Sequence, residues 1–109
     1  MQNFLKFSDK FGLSFDNWDI QYRIHAIQRM FSRNIRENEI IHILLYGFTI
    51  EQYDNDYPFP SMLISGITEN NRPLHAVVAV DINEKRLYII TVYEPDPGKW
   101  SDDFTRRIQ

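Results

Sequence analysis

The chain contains no cysteine, which excludes a disulfide framework and thiolate zinc sites and fits an intracellular home. No apolar run approaches the roughly 18 residues that a membrane span requires. The opening Met1-Gln2-Asn3-Phe4-Leu5-Lys6 lacks the hydrophobic stretch of a signal peptide. These absences set the expectation of a soluble cytoplasmic protein with no membrane partner. The phosphate-cradling GxxxxGK, the dinucleotide fingerprint GxGxxG and the zincin HExxH are missing too, so none of those chemistries is supported. Asp54 and Asp56 lack the glycine and the later bidentate glutamate of an EF-hand loop. Neither a metal nor a cofactor is expected.

One absence is local. From Ile20 to Arg36 there is no carboxylate, yet the segment carries Arg23, His25, Arg29, Arg33 and Arg36 inside a chain of formal net charge −3. At about 100° per residue, His25, Arg29, Arg33 and Arg36 fall within about 80° of one another around a helix, with Ile24, Ile27 and Phe31 almost opposite. An amphipathic helix needs a polar face, and arginine is a good helix former. An ordinary solvated face, however, mixes signs for i,i+4 pairing. A one-signed stripe points to phosphate, which the planar guanidinium binds with two parallel hydrogen bonds, or to an acidic protein surface. The acidic total argues against a general nucleic-acid coat, so any RNA contact is local.

The 109 residues, 43% hydrophobic and 15% aromatic, describe one domain with a real core. Residues 1–15 form an apolar but interrupted arm, partly helical. Asp16 or Asn17 is placed to cap a first helix whose apolar positions Ile20, Ile24, Ile27 and Phe31 run through Ser32. A second helix is expected over residues 37–46, with Glu37 and Glu39 at the positive end of its dipole and Gly47 in the left-handed stop conformation. After Gly47 the pattern changes to strands over 48–53, 61–68, 74–82 and 86–94. The expected fold is therefore α+β, two N-terminal helices on an antiparallel sheet of about four strands. A tail over residues 95–109 leaves the sheet. The strand opening at Leu74 is apolar on both faces, as befits a central strand. Two helices cover only one face, so the arm, the aromatic tail or a second protein chain, as in a homo-oligomer, must shield part of the other.

Of the three histidines, His42 lies in an apolar helical run and reads as structural or exposed. His25 heads the arginine stripe and His75 opens the central strand. Two histidines with an arginine can in principle cleave RNA without metal, one group taking the 2′-hydroxyl proton and another protonating the leaving oxygen. Tyr93 and Glu94 close the last strand. A turn of Asn83 to Lys85 sets His75 opposite Tyr93, whereas a turn one residue shorter or longer puts them on opposite faces.

The combination His25-Ala26-x-x-Arg29-Met30-x-x-Arg33, Glu39-Ile40, Gly47, Ile50-Glu51-x-Tyr53, Pro58-x-Pro60-Ser61, Arg72-Pro73-Leu74-His75 and Ile90-Thr91-Val92-Tyr93-Glu94-Pro95-Asp96 resembles a bacterial domain-of-unknown-function family. That family is grouped with RelE-like and BrnT-like toxins in the barnase, EndoU, colicin and RelE nuclease superfamily. The likeness spans roughly residues 22–107. It implies a RelE-like toxin fold and a ribonuclease of a type II toxin–antitoxin pair, acting on RNA without metal and partnered by an antitoxin encoded nearby. Carried onto this chain it implies His25, Arg29, Arg33, His75 and Tyr93 as catalytic, converging on one concave surface. Arg36, Arg72, Arg106 and Arg107 are the expected RNA-binding cations. The acidic composition departs from the strongly basic ribosome-dependent toxins. The other reading is a catalytically silent module that uses the arginine-rich helix to bind an acidic partner.

Overall fold

A computed structural model of the chain describes residues 4–12 and 17–108. Its elements run α1 (Phe7–Phe11), β1 (Asp19–Tyr22), α2 (Ile24–Arg33), α3 (Glu37–Tyr46), β2 (Phe48–Tyr53), β3 (Ser61–Ile67), β4 (Pro73–Asp81) and β5 (Arg86–Tyr93). The class is α+β, and the sheet has five strands in the order β1-β5-β4-β3-β2. Strands β2 to β5 are antiparallel to one another. β1 joins β5 in parallel, which makes the sheet mixed.

The strand β1 replaces the expected first turns of the first helix. Ile20 satisfies a helical spacing with Ile24, but it also alternates with Tyr22. Pairing with Leu87 and Ile89 lets both lean on the core. The helix begins only at Ile24, and Arg23, not Asn17, precedes it. Asp16, the other proposed cap, lies outside the described residues.

Alternation on β4 divides the molecule. Leu74, Ala76, Val78 and Val80 meet Met62 and Ile64 of β3, Leu87, Ile89 and Val92 of β5, Ala26, Ile40, Ile43 and Leu44 of the helices, and Ile35 between α2 and α3 in one core. Close contact is built with small residues. A Cβ on Gly66 would lie 2.8 Å from side-chain atoms of Ile43, so α3 rests almost directly on the β3 backbone. Gly47 is required for the same reason and not for a left-handed stop. Its φ is −80°, and an added Cβ would sit 2.4 Å from the Ile43 carbonyl oxygen. Left-handed residues end the other two helices instead, Gly12, φ 59°, after α1 and Asn34, φ 52°, after α2.

The arm is anchored at the β2 edge. Thr49 N–H donates to the Leu5 carbonyl, Phe7 N–H donates to that of Gly47, and the Phe7 ring is fully buried. On the face of the sheet away from α2 and α3, the tail supplies cover, as the two-sided apolarity of β4 required. Trp100 is 5% exposed there.

Candidate functional site

The second face of the sheet carries, in adjacent rows, Ser65, His75 and Tyr93, then Glu51, Leu63 and Val77, then Tyr53, Ser61 and Ala79. His75 lies on the central strand and is fully buried. Its Nε2 is 2.7 Å from the Phe104 carbonyl oxygen, which can only accept, so Nε2 carries the proton. Nδ1 is then free to accept from the Tyr93 hydroxyl at 3.3 Å. Ser65 Oγ donates to the same Phe104 carbonyl at 3.1 Å, and the Trp100 ring meets His75 edge-on at 4.5 Å between centroids. Burial disfavours the imidazolium and the Phe104 bond offsets only part of that, leaving the His75 pKa at about 4. His75 is therefore a neutral rivet holding the tail to β4.

Next to the rivet lies a polar cluster open to solvent. Arg107 Nε and Nη2 donate to Glu51 at 2.9 and 3.2 Å, a two-toothed pairing of planar groups. The Tyr53 hydroxyl donates to the same carboxylate. The Arg107 guanidinium also lies 4.8 Å from the Trp100 ring centroid. The Arg107 bond, followed by burial that opposes it and Tyr53 that supports it, holds the Glu51 carboxyl below its ordinary value. Burial and the Glu51 charge push Tyr53 up to about 12, and burial raises Tyr93. Glu51 keeps Arg107 firmly charged. Glu51, Tyr53, His75, Tyr93 and Arg107 thus form one contiguous set of titratable groups displaced from their ordinary behaviour, a mark of functional surfaces as well as of ion-pair networks.

The expected convergence of His25, Arg29 and Arg33 with His75 and Tyr93 does not occur. α2 packs against β5 through Ala26 and Met30 on the core side of the sheet, while His75 projects from the other side. The sheet separates them because neighbouring residues of β4 point to opposite faces. His25 and Arg33 are exposed and Arg29 half-buried. The helix is also rotated from its expected setting. Ile24, Ile27 and Phe31 are 75%, 52% and 91% exposed, because contact with β5 is made by fully buried Ala26, whose small side chain admits close approach.

Arg72, expected to meet RNA, is a clasp. Nη1 donates to the Asn34 carbonyl at 2.9 Å and to Glu39 at 3.2 Å, and Nη2 to the Arg33 carbonyl and Glu94, each at 2.7 Å. Burial opposes its charge, but Glu94 and Glu39 outweigh it and raise the pKa. Arg36 and Arg106 are exposed, and of the four expected cations only Arg107 joins the polar cluster. Among the described residues no group of three or more His, Cys, Asp or Glu side chains is placed to hold a metal ion. No helix is long and apolar enough to cross a membrane, among the same residues.

Sequence reasoning assigned no role to Glu51, Tyr53 or Trp100. For the first two a signal existed, since Glu51-x-Tyr53 in a strand puts both side chains on one face. The Phe104 contribution is a backbone carbonyl, to which side-chain chemistry gives no clue.

Residues 22–94 match the family model described as Domain of unknown function (DUF4258). The chain belongs to that family. No curated protein and no solved structure matches it.

Proposed function

We propose that this DUF4258 chain is an RNA endonuclease of the RelE-like kind, a toxin restrained by a partner protein, and that it cleaves on the second face of its sheet. The observation that carries this reading is the Glu51 carboxylate, held at once by the Arg107 fork and the Tyr53 hydroxyl. It unites a base, a phosphate-binding cation and a proton donor within hydrogen-bonding reach of one another.

In this scheme an incoming phosphodiester takes the Arg107 guanidinium away from Glu51. Arg107 is the largest influence holding the Glu51 carboxyl down, so its departure raises the basicity of the carboxylate as substrate binds. Glu51 removes the 2′-hydroxyl proton, the 2′-oxygen bonds to phosphorus, and the phosphorus–5′-oxygen bond breaks. Tyr53 gives its proton to the departing 5′-oxygen, and Arg107 stabilises charge on the phosphorane. The products are a 2′,3′-cyclic phosphate and a 5′-hydroxyl. The direct bond between Tyr53 and Glu51 then returns the proton and restores both groups. Buried His75 acts as a positioning residue, fixing the tail that presents Arg107.

The test is cleavage of total cellular RNA by purified protein in excess chelator, together with growth on induced expression. The reading expects cyclic-phosphate ends and growth arrest. An inert wild-type protein on free RNA and on ribosomes would reject it and leave the silent binding module.

A further inference from the structure

We propose that Arg23, Phe59 and Tyr88 form a stacking site for one unpaired base of an RNA strand that crosses the second face of the sheet. Tyr88 is the β5 member of the row that holds Tyr53, Ser61 and Ala79, so its side chain stands on the same face as Glu51, three strand spacings or about 14 Å along the row from Tyr53. Phe59, from the loop between β2 and β3, lies nearly parallel to the Tyr88 ring, with centroids 5.6 Å apart and 9° between the planes. Parallel rings at that separation are offset, which leaves part of each face uncovered. The Arg23 guanidinium lies over the Tyr88 ring, 4.5 Å from its centroid. Arg23 is exposed and has no ion-pair partner among the described residues. Arg23, Asp56, Tyr57, Phe59 and Tyr88 line a depression of about 210 Å³.

Shape and charge select the occupant. Aromatic faces and a guanidinium plane are the surfaces on which single-stranded RNA stacks its bases. The two charges in the depression favour a base over the other candidates. A phosphate drawn by Arg23 would meet the Asp56 carboxylate, whereas a base is neutral and brings N–H donors. Asp56 already accepts from Ser61 Oγ, and its remaining lone pairs are open to such donors. An aliphatic side chain from a protein would cover both charges and hydrogen-bond to neither. Because the depression shares a face with Glu51, Tyr53 and Arg107, one strand can seat a base here while a phosphodiester further along it reaches Arg107. That the ligand is RNA rests on the ribonuclease reading.

The experiment is fluorescence anisotropy with short single-stranded RNA carrying fluorine in place of each 2′-hydroxyl. Such a strand cannot be cut by 2′-hydroxyl attack, so binding is read apart from cleavage. Strands that are intact or lack one base at successive positions are titrated onto wild type, Arg23→Gln, Arg23→Lys and Phe59→Leu. Arg23 takes no part in the core, so its variants retain the fold, and circular dichroism checks all three. Loss of the base at one position should weaken binding to wild type roughly tenfold, and Phe59→Leu or Arg23→Gln should weaken the intact strand by a similar factor. Arg23→Lys, which keeps the charge without the plane, should lose most of the same affinity. Unchanged affinity whichever base is removed, wild-type affinity in both Arg23→Lys and Phe59→Leu, or no RNA binding by wild type would each overturn the stacking site. A wild type that binds through this site but cuts no natural RNA would reject the nuclease and keep the site. One that cuts while Arg23→Lys and Phe59→Leu bind as tightly as wild type would reject the site and keep the nuclease.

Discussion

His75 stands directly across from Tyr93, although the turn between their strands is the wrong length for it. The turn spans four residues, Ile82 to Lys85, from the Asp81–Arg86 pair. That register would send Tyr93 into the helix-side core. A bulge corrects it: Val78 pairs with Ile89 and Val77 with Thr91, so Ile90 is the extra residue and the remaining side chains change faces. Deleting Ile90 should therefore leave the same pairs in a regular ladder, Val77 with Thr91 and His75 with Tyr93, and cost only about 1 kcal/mol or less. Urea unfolding checks it, and a loss of about 2 kcal/mol or more would show that the bulge itself is needed.

Removing the rivet should loosen the tail. His75→Ala takes from the Phe104 carbonyl one of its two donors and from the Tyr93 hydroxyl its acceptor, and opens a cavity under Trp100, at a cost of about 2–4 kcal/mol. Hydrogen exchange should show the larger gain at residues 100–108. Uniform exchange across the chain would argue against a tail-specific role.

The same histidine sets a pH dependence. Its folded pKa of about 4 lies below the ordinary 6.5, so the unfolded chain binds the proton first as pH falls. Stability is full above pH 6.5 and declines between 6.5 and 4, by an amount on the order of 3 kcal/mol. Glu51 acts in the same direction at lower pH: its depressed pKa contributes stability that is lost as pH falls through and below the ordinary carboxylate range. The slope between pH 6.5 and 4 should consequently vanish in His75→Gln while the steeper acid loss remains. Chemical denaturation across that range reads both.

Arg72→Met should cost about 2–4 kcal/mol, because Glu39, whose side chain is 13% exposed, loses its counter-charge while the Arg33 and Asn34 carbonyls lose a donor. Arg72→Lys should recover only part of this, since one ammonium cannot reach the spread of acceptors that the fork spans. Equal stability of the lysine variant and wild type would contradict the clasp.

Gly66→Ala tests the close seating of α3. The new methyl would lie 2.8 Å from Ile43 Cβ and Cγ2, and the overpacking should cost about 1–3 kcal/mol. A crystal structure of the variant should show α3 displaced outward at Ile43. An unmoved helix with unchanged stability would contradict the packing.

How much of this was legible in the sequence varied by element. α3 and the four antiparallel strands announced themselves through runs of Ile, Leu, Val and aromatic residues bounded by Gly47 and by polar turns. β1 did not, because Ile20 fits a helix with Ile24 as well as a strand with Tyr22, and only the partner Leu87-x-Ile89 decides. The face of α2 was misleading. Its larger residues, Ile24, Ile27 and Phe31, form the apolar stripe by pattern, but proximity to β5 selects the small Ala26. Periodicity reports that two sides differ, not which one the core takes. For the candidate site, His75, Tyr93 and Arg107 were named from the sequence and share a face. His25, Arg29 and Arg33 were separated from them by strand alternation, which a motif on a helix cannot reveal. The His75–Tyr93 apposition itself rests on a bulge at Ile90, and nothing in that residue signals one.

The most direct test compares Glu51→Gln with His25→Ala in a single cleavage assay on cellular RNA, with product ends identified by mass spectrometry. The account predicts cyclic-phosphate ends from wild type and from His25→Ala at similar rates, and a loss on the order of a hundredfold or more in Glu51→Gln. Full cleavage by Glu51→Gln, or abolition by His25→Ala with Glu51→Gln active, would contradict a reaction centre on the second face of the sheet.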